Sequence, residues 1–302
     1  MNILISGGSG FLGRAFTHQF KDKYRITWLS RHCADTPSDV ECLDYTELKI
    51  TDKTFDVIIN LAGSNIADKR WSKYQKQYLL DSRLIPTQAI LDYIARIDKK
   101  PKLLISGSAI GWYGVDNTHA QTLDENSDCL SSDLGNDFAH ELCQQWETLA
   151  KQAAAYNVHT TIIRTGVVLS AHGGMTQRLV TPFKLGLGGR LGSGKQIISW
   201  ISVHDWVCAV DFIITRLSDK LSIANIYNLT APTPVNNREF TKAVGQWLNR
   251  PTIIPMPVFL LKLIFGEMST LLIDGQTVQP NQLINDGFEF CHHSPFNALT
   301  HG

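Results

Sequence analysis

The stretch Gly7-Gly8-Ser9-Gly10-Phe11-Leu12-Gly13 has the residue types and spacing to hold a phosphate. It carries two overlapping registers. Gly8, Gly10 and Gly13 spell GxGxxG, whereas Gly7, Gly10 and Gly13 spell GxxGxxG. Either register gains meaning only between a strand and a helix, where free N–H groups at the helix start can meet a pyrophosphate. That context is present. The run "NILIS" precedes the glycines, and "FLGRAFTHQF" sets Phe11, Leu12, Ala15, Phe16 and Phe20 at helical spacing behind them.

The end of the second strand, "YRITWLS", indicates which dinucleotide fits. A site for NAD places Asp or Glu there, about 20 residues past the loop, to accept from the ribose 2′-OH. Here the strand ends in Ser30 and Arg31, with Asp35 and Asp39 further on and worse placed. A cation with a neighbouring hydroxyl suits a 2′-phosphate, so the expected cofactor is NADP(H).

Other candidate groups read as structural. His204–Asp205 has the makings of a dyad, but Asp205 stands where the helix "DWVCAVDFII" opens. His292–His293 lie beside Cys291, yet adjacent residues on an extended segment point apart and do not complete a metal site. The cysteines at 33, 42, 129, 143, 208 and 291 show no CxxC spacing, so reduced thiols in the cytoplasm are expected, with neither zinc nor a disulfide framework.

Net charge +0 argues against a broad phosphate-binding face and hence a nucleic-acid partner. "MNILISGG" lacks the features of a signal peptide. The apolar run "IIPMPVFLLKLIF" is interrupted by Pro255, Pro257 and Lys262 and is too short for a bilayer, so no membrane role is expected.

The elements that must position the loop alternate along the chain. "DVIINLAG" (56–63), "KLLISGSA" (102–109) and "HTTIIRTGVVL" (159–169) read as buried strands. The helices "SRLIPTQAILDYIARI" and "NDFAHELCQQWETLAKQAAAY" lie between them. This is an α/β chain: a Rossmann doubly wound parallel sheet with a smaller C-terminal substrate lobe. The dinucleotide-binding domain spans 1–170 and is completed by 201–230, leaving 171–200 and 231–302 for the lobe.

The loop, "NLAG" (60–63), "SGSAIGWYG" (106–114) and "IIRTGVVLS" (162–170) resemble the extended short-chain dehydrogenase/reductases. "DFAHELCQQWE", "PFKLGLGGRLGSGKQIISWISVHD" and "NLTAPTPVNNREF" are similar to an atypical subgroup, the epimerase family proteins with a C-terminal domain of unknown function. The resemblance covers nearly the whole chain and selects the GxxGxxG register. It implies cofactor contacts from Gly7, Ser9, Gly10, Phe11, Leu12 and Gly13, then Ser30 and Arg31. Leu61, Ala62, Gly63, Arg83, Ser106 and Thr165 complete the implied set.

In the parent family a Ser or Thr at the end of the fifth strand works with a Tyr-x-x-x-Lys pair, and the tyrosine exchanges a proton while hydride moves. Ser108 holds the serine position, but the pair is replaced by Phe138 and Leu142. No Lys or Arg occurs from 103 through 150, and the sole Tyr-x-x-x-Lys, Tyr45 to Lys49, lies in the wrong place. Tyr113, aided by Ser108 orienting a carbonyl, and His140 on the altered helix are the candidate replacements.

Arg190, Lys195 and Trp200 accompany a glycine-rich segment suited to an anionic small molecule. Two function classes follow. One is an NADP(H)-dependent oxidoreductase or epimerase-like enzyme acting on a small polar substrate. The other is an NADP(H)-binding sensor or interaction protein without turnover.

Overall fold

The computed structural model describes residues 1–34, 36–115, 121–130 and 137–301. Strand β1 (Asn2–Ser6) passes through the glycine turn into α1 (Phe11–Phe20) and returns as β2 (Arg25–Leu29). β3 (Glu41–Leu43), α2 (Tyr45–Ile50), β4 (Val57–Asn60), α3 (Lys73–Arg96) and β5 (Leu103–Ala109) continue the alternation. After the short β6 (Thr122–Leu123) come α4 (Phe138–Ala150) and β7 (His159–Thr165).

The second half begins with β8 (Val167–Leu169), α5 (Gly174–Lys184), β9 (Ile197–Ile198) and β10 (Trp200–Ser202). Helix α6 (Val203–Ser218) and β11 (Ile226–Leu229) return to the main sheet. Then follow β12 (Val235–Asn236), α7 (Asn237–Leu248), α8 (Val258–Phe265), α9 (Thr270–Ile273), β13 (Thr277–Val278), α10 (Asn281–Asn285) and α11 (Pro295–His301).

The main sheet has the order β11-β7-β5-β4-β1-β2-β3, and its strand pairs are parallel. Alternate residues enter opposite cores, as a period of two requires. Ile3, Ile5, Trp28 and Ile105 pack with α6 residues such as Trp206 and Ile213, whereas Leu4, Leu29, Ile58 and Leu104 pack with Ile90 and Ile94 of α3. The chain moves from β1 toward β3, then crosses to β4 and proceeds the other way. The reversal leaves a crevice at the carboxyl ends of β1 and β4, where open α/β sheets bind ligands.

A separate core joins Leu169, Phe183, Trp200, Phe240, Val244 and Leu299. It unites α5, α7 and α11 with the paired strands β8 and β10.

Three local differences have physical causes. The expected strand 159–169 breaks at Gly166, where a Cβ would lie 2.5 Å from the Ser199 carbonyl oxygen, and β8 leaves the main sheet to pair with β10. Helix α3 starts at Lys73, nine residues before the expected start, capped by Ser72 accepting from the Gln75 N–H. Cys33 and Cys42 form a disulfide, contrary to the expectation of reduced thiols throughout. Their Cα atoms lie 5.7 Å apart because the turn after β2 brings the chain back to β3, a proximity that CxxC spacing does not report. The thiol argument for the cytoplasm therefore fails. No helix among the described residues is long and apolar enough to cross a membrane.

Candidate functional site: a dinucleotide crevice

The glycines divide their work. Gly7 has φ +78°, and a Cβ there would lie 2.8 Å from the Leu61 carbonyl, so the turn out of β1 requires glycine. Gly13 presses α1 against the loop, its virtual Cβ 2.6 Å from the Gly7 carbonyl oxygen. Gly10 is the N-cap of α1, and an added Cβ would meet only the Gly7 oxygen at 3.1 Å. The loop surface is therefore open at Gly10. The first turn of α1 carries no acidic residue and no side-chain cap, leaving its N–H groups for an anion. Gly8 serves packing, making room for the Trp28 ring.

Two cavities meet along this loop and share Gly7, Gly10, Leu61 and Gly63 as walls. The first, of about 530 Å³, runs past Phe11, Leu12 and Gly13 to Arg83, Ser108 and Thr165. The second, of about 590 Å³, is lined by Ser9, Ser30, Arg31, Ala62 and Tyr78. The crevice thus has an end bearing Ser30–Arg31 and an end bearing Ser108. Arg31 is exposed and forms no ion pair among the described residues. Ser30 Oγ lies 3.3 Å from Ser9 Oγ, tying the second strand to the loop. Asp39 is engaged with Lys21 at 2.5 Å, and Asp35 lies outside the described residues.

Arg83 donates to the Leu79 carbonyl and packs over the Trp146 ring at 5.3 Å, with no carboxylate partner among the described residues. Burial lowers its pKa from the usual arginine value. An unpaired guanidinium beside an open glycine loop fits a phosphorylated cofactor.

Not every expected residue faces the crevice. Ser106 lies one residue pair deeper than Ser108 on β5, is fully buried and lines neither cavity. Tyr113 is 0% exposed and also lines neither. Its hydroxyl donates to the Asp124 carbonyl at 2.9 Å and lies 2.9 Å from Asn228 Oδ1. Burial raises its pKa, and the nearby Arg164 only partly offsets this. The short turn after β5 carries the ring into the core, so Tyr113 does not present a proton to the crevice. His140 is buried, with Nδ1 2.5 Å from the Trp112 carbonyl, and likewise does not line either cavity. Arg190, Lys195 and Trp200 stand apart from both cavities, and the Trp200 indole donates to the Thr233 carbonyl.

Phe138 and Leu142 are 3% and 2% exposed. The Phe138 ring meets Trp71 edge-on at 5.0 Å, while Leu142 and its neighbour Cys143 form part of the cavity wall. Burial pushes the Cys143 thiol up to about 11, so it is neutral near pH 7. Where a phenol and an ammonium would stand in the parent arrangement, α4 carries two apolar side chains, of which Leu142 lines the cavity.

Two groupings were invisible in the sequence. Beneath Ser108, Glu147 accepts from the serine hydroxyl at 2.7 Å and from Arg164 at 2.9 and 3.0 Å. The "WE" of the α4 motif was legible, but its partner on β7 lies seventeen residues away. Elsewhere, Ser202, Asp205 and His292 converge, with Ser202 Oγ 3.0 Å from His292 Nδ1 and donating to Asp205 at 2.9 Å. Ser202 is the N-cap of α6, and Asp205 accepts from the Cys291 and His292 N–H groups. This trio fastens the C-terminal segment to α6 and lines neither cavity. No group of three or more metal-ligating side chains occurs among the described residues.

The chain belongs to the NAD dependent epimerase/dehydratase family, whose profile matches residues 3–229, and it has the fold of an extended short-chain dehydrogenase/reductase. A domain of unknown function, DUF1731, matches residues 256–301. The epimerase family protein Mb2239 of Mycobacterium bovis is 38% identical, covering 98% of this chain and 96% of its own. MW0731 of Staphylococcus aureus is 35% identical, over 95% and 94% of the two chains. The crystal structure of human epimerase family protein SDR39U1 with NADPH superposes with a TM-score of 0.86 at 28% identity, covering 99% of this chain and 98% of that one.

Proposed function

We propose that this chain is an NADP(H)-dependent oxidoreductase of the epimerase type, acting on a small polar molecule held beyond Ser108. The observation that carries the reading is the continuous crevice, with Arg31, which forms no ion pair among the described residues, at one end and Ser108 at the other. The NADPH in the similar human structure supports the choice of nucleotide. Gly10 and the start of α1 would hold the pyrophosphate, with Arg31 and Ser30 on the 2′-phosphate. When bound, the cofactor supplies or accepts a hydride; the residues around Ser108 orient the partner molecule and exclude water.

The second reading, a nucleotide-binding sensor, is favoured by one observation: the apolar pair Phe138 and Leu142 where proton transfer is expected. Calorimetry with NADPH and NADH tests the shared cofactor claim, and tighter NADPH binding is expected. Loss of absorbance at ~340 nm on adding small oxygenated compounds separates enzyme from sensor. Equal affinity for both nucleotides would overturn the cofactor assignment.

A further inference from the structure

We propose that Ser108 is a hydrogen-bond acceptor toward the cavity, and that the molecule bound there presents a hydroxyl or N–H donor to it. This rests on the reading of the cavity beyond Ser108 as the substrate site. A serine that orients a carbonyl must give that carbonyl its single hydrogen. Here the hydrogen is already committed.

Ser108 Oγ lies 2.7 Å from Glu147 Oε1, a short contact of the kind made by a hydroxyl donating to a carboxylate. Glu147 has no hydrogen to return. Its Oε1 also accepts from Arg164 Nε at 2.9 Å, and its Oε2 accepts from Arg164 Nη2 at 3.0 Å and Lys151 Nζ at 3.2 Å. A proton on either oxygen would face a cation. Arg164 is held in place by stacking over Trp112, 3.4 Å from the ring centroid. Glu147 and Arg164 are each 1% exposed, so water does not compete for the serine hydrogen from below. Ser108 therefore has lone pairs and no hydrogen to offer a molecule in the cavity, with the buried Cys143 thiol as its other neighbour.

Asp137 lines the same cavity, its carboxylate already accepting from the Ala139 and His140 N–H groups at the start of α4. The cavity's one lining cation among the described residues, Arg83, sits against Gly63 and Trp146, on the side shared with the glycine loop. The lining around Ser108 is mostly apolar, so a donor carried by the bound molecule gains most by reaching the serine oxygen.

The test uses the full chain in two measurements. Neutron diffraction, on crystals with and without NADPH, should place a deuteron between Ser108 Oγ and Glu147 Oε1. A deuteron directed into the cavity, or one carried by Glu147, overturns the proposal. Because it needs no nucleotide, this outcome is separate from any failure of NADPH to bind.

In the second measurement, ligand-observed NMR compares cyclohexanol with cyclohexanone on NADPH-saturated protein. The alcohol should bind roughly fivefold or more tightly, the scale of one satisfied buried acceptor. Ser108→Ala should erase the difference. Glu147→Leu with Arg164→Met should reverse it, since removing the carboxylate frees the hydroxyl hydrogen for the ketone. Tighter ketone binding by the wild type, an unchanged preference in Ser108→Ala, or binding of neither probe to NADPH-loaded protein each overturns the proposal.

Discussion

Arg164 meets Glu147 through two hydrogen bonds of 2.9 and 3.0 Å in a pocket closed to solvent. The pair joins β7 to α4 directly beneath the cavity wall, so it couples the sheet to the helix carrying Leu142 and Cys143. Burial alone would lower the Arg164 pKa, but hydrogen bonding and charge pairing with Glu147 raise it overall. Arg164→Met would leave a buried carboxylate with only Lys151 for charge compensation. Loss of about 3–5 kcal/mol is expected, read by urea denaturation. Glu147→Leu combined with Arg164→Met should recover most of that loss, because an apolar pair needs no compensation. If the double variant is as unstable as the sum of the singles, the pair is not the coupled unit described.

The glycine loop separates binding from folding. Gly10→Val adds a side chain at the open position, where its Cβ meets one oxygen at 3.1 Å and its branches project over the face proposed to hold the nucleotide. Normal thermal stability with abolished NADPH binding is expected. Gly13→Val forces a Cβ to 2.6 Å from backbone and should instead lower the melting temperature by several degrees. Normal NADPH affinity in Gly10→Val would place the nucleotide elsewhere.

Arg31 should set the choice between cofactors. With no ion pair among the described residues to lose and an exposed contact with the Tyr78 hydroxyl, Arg31→Ala should change stability little. A charge-assisted contact of ~1.5–3 kcal/mol corresponds to roughly tenfold to a hundredfold weaker NADPH binding. NADH binding should hardly change. An equal loss for both nucleotides, by calorimetry, would show that Arg31 does not read the 2′-phosphate.

Cys33 and Cys42 bracket the turn that follows Arg31. Denatured, unreduced protein should therefore show four reactive thiols, those of Cys129, Cys143, Cys208 and Cys291. Closing so short a loop contributes about 2–3 kcal/mol in the chain-entropy view, so reduction should lower the melting temperature. Six thiols in the unreduced protein would refute the pairing.

The sequence was most legible where a local pattern dictates structure. Apolar runs closing on small residues located β1, β4 and β5, and the motif after β1 located the crevice. Contacts between distant segments were not legible. Spacing does not reveal that β7 delivers Arg164 to Glu147, that a turn joins Cys33 to Cys42, or that Asp205 fastens the chain at Cys291 and His292. Tyr113 shows the same limit: an aromatic just past the fifth strand can face the cavity or the core. The short turn from Ile110 to Tyr113 sends it inward.

Phe138 and Leu142 stand one helical turn apart on the buried side of α4, where the parent chemistry would need a phenol and an ammonium. Phe138 packs edge-on against Trp71, and Lys76 lies over its ring. Leu142 shares the cavity wall with Cys143, Trp146 and Arg83. Restoring the pair as Phe138→Tyr with Leu142→Lys adds a phenol to a closed aromatic contact and a second cation to the chamber that already holds Arg83. The new ammonium would lose hydration in a chamber whose Asp137 carboxylate is already committed to the start of α4, so its pKa should fall well below the ordinary lysine value. Stability should drop by about 2–4 kcal/mol, as for a poorly compensated buried charge, with no gain in NADPH oxidation by generic ketones. Denaturation and absorbance assays on the same preparation check both halves. A stable double variant that acquired ketone reductase activity would show a conventional pocket stripped of two groups, and would favour the sensor reading over an enzyme with a rebuilt site.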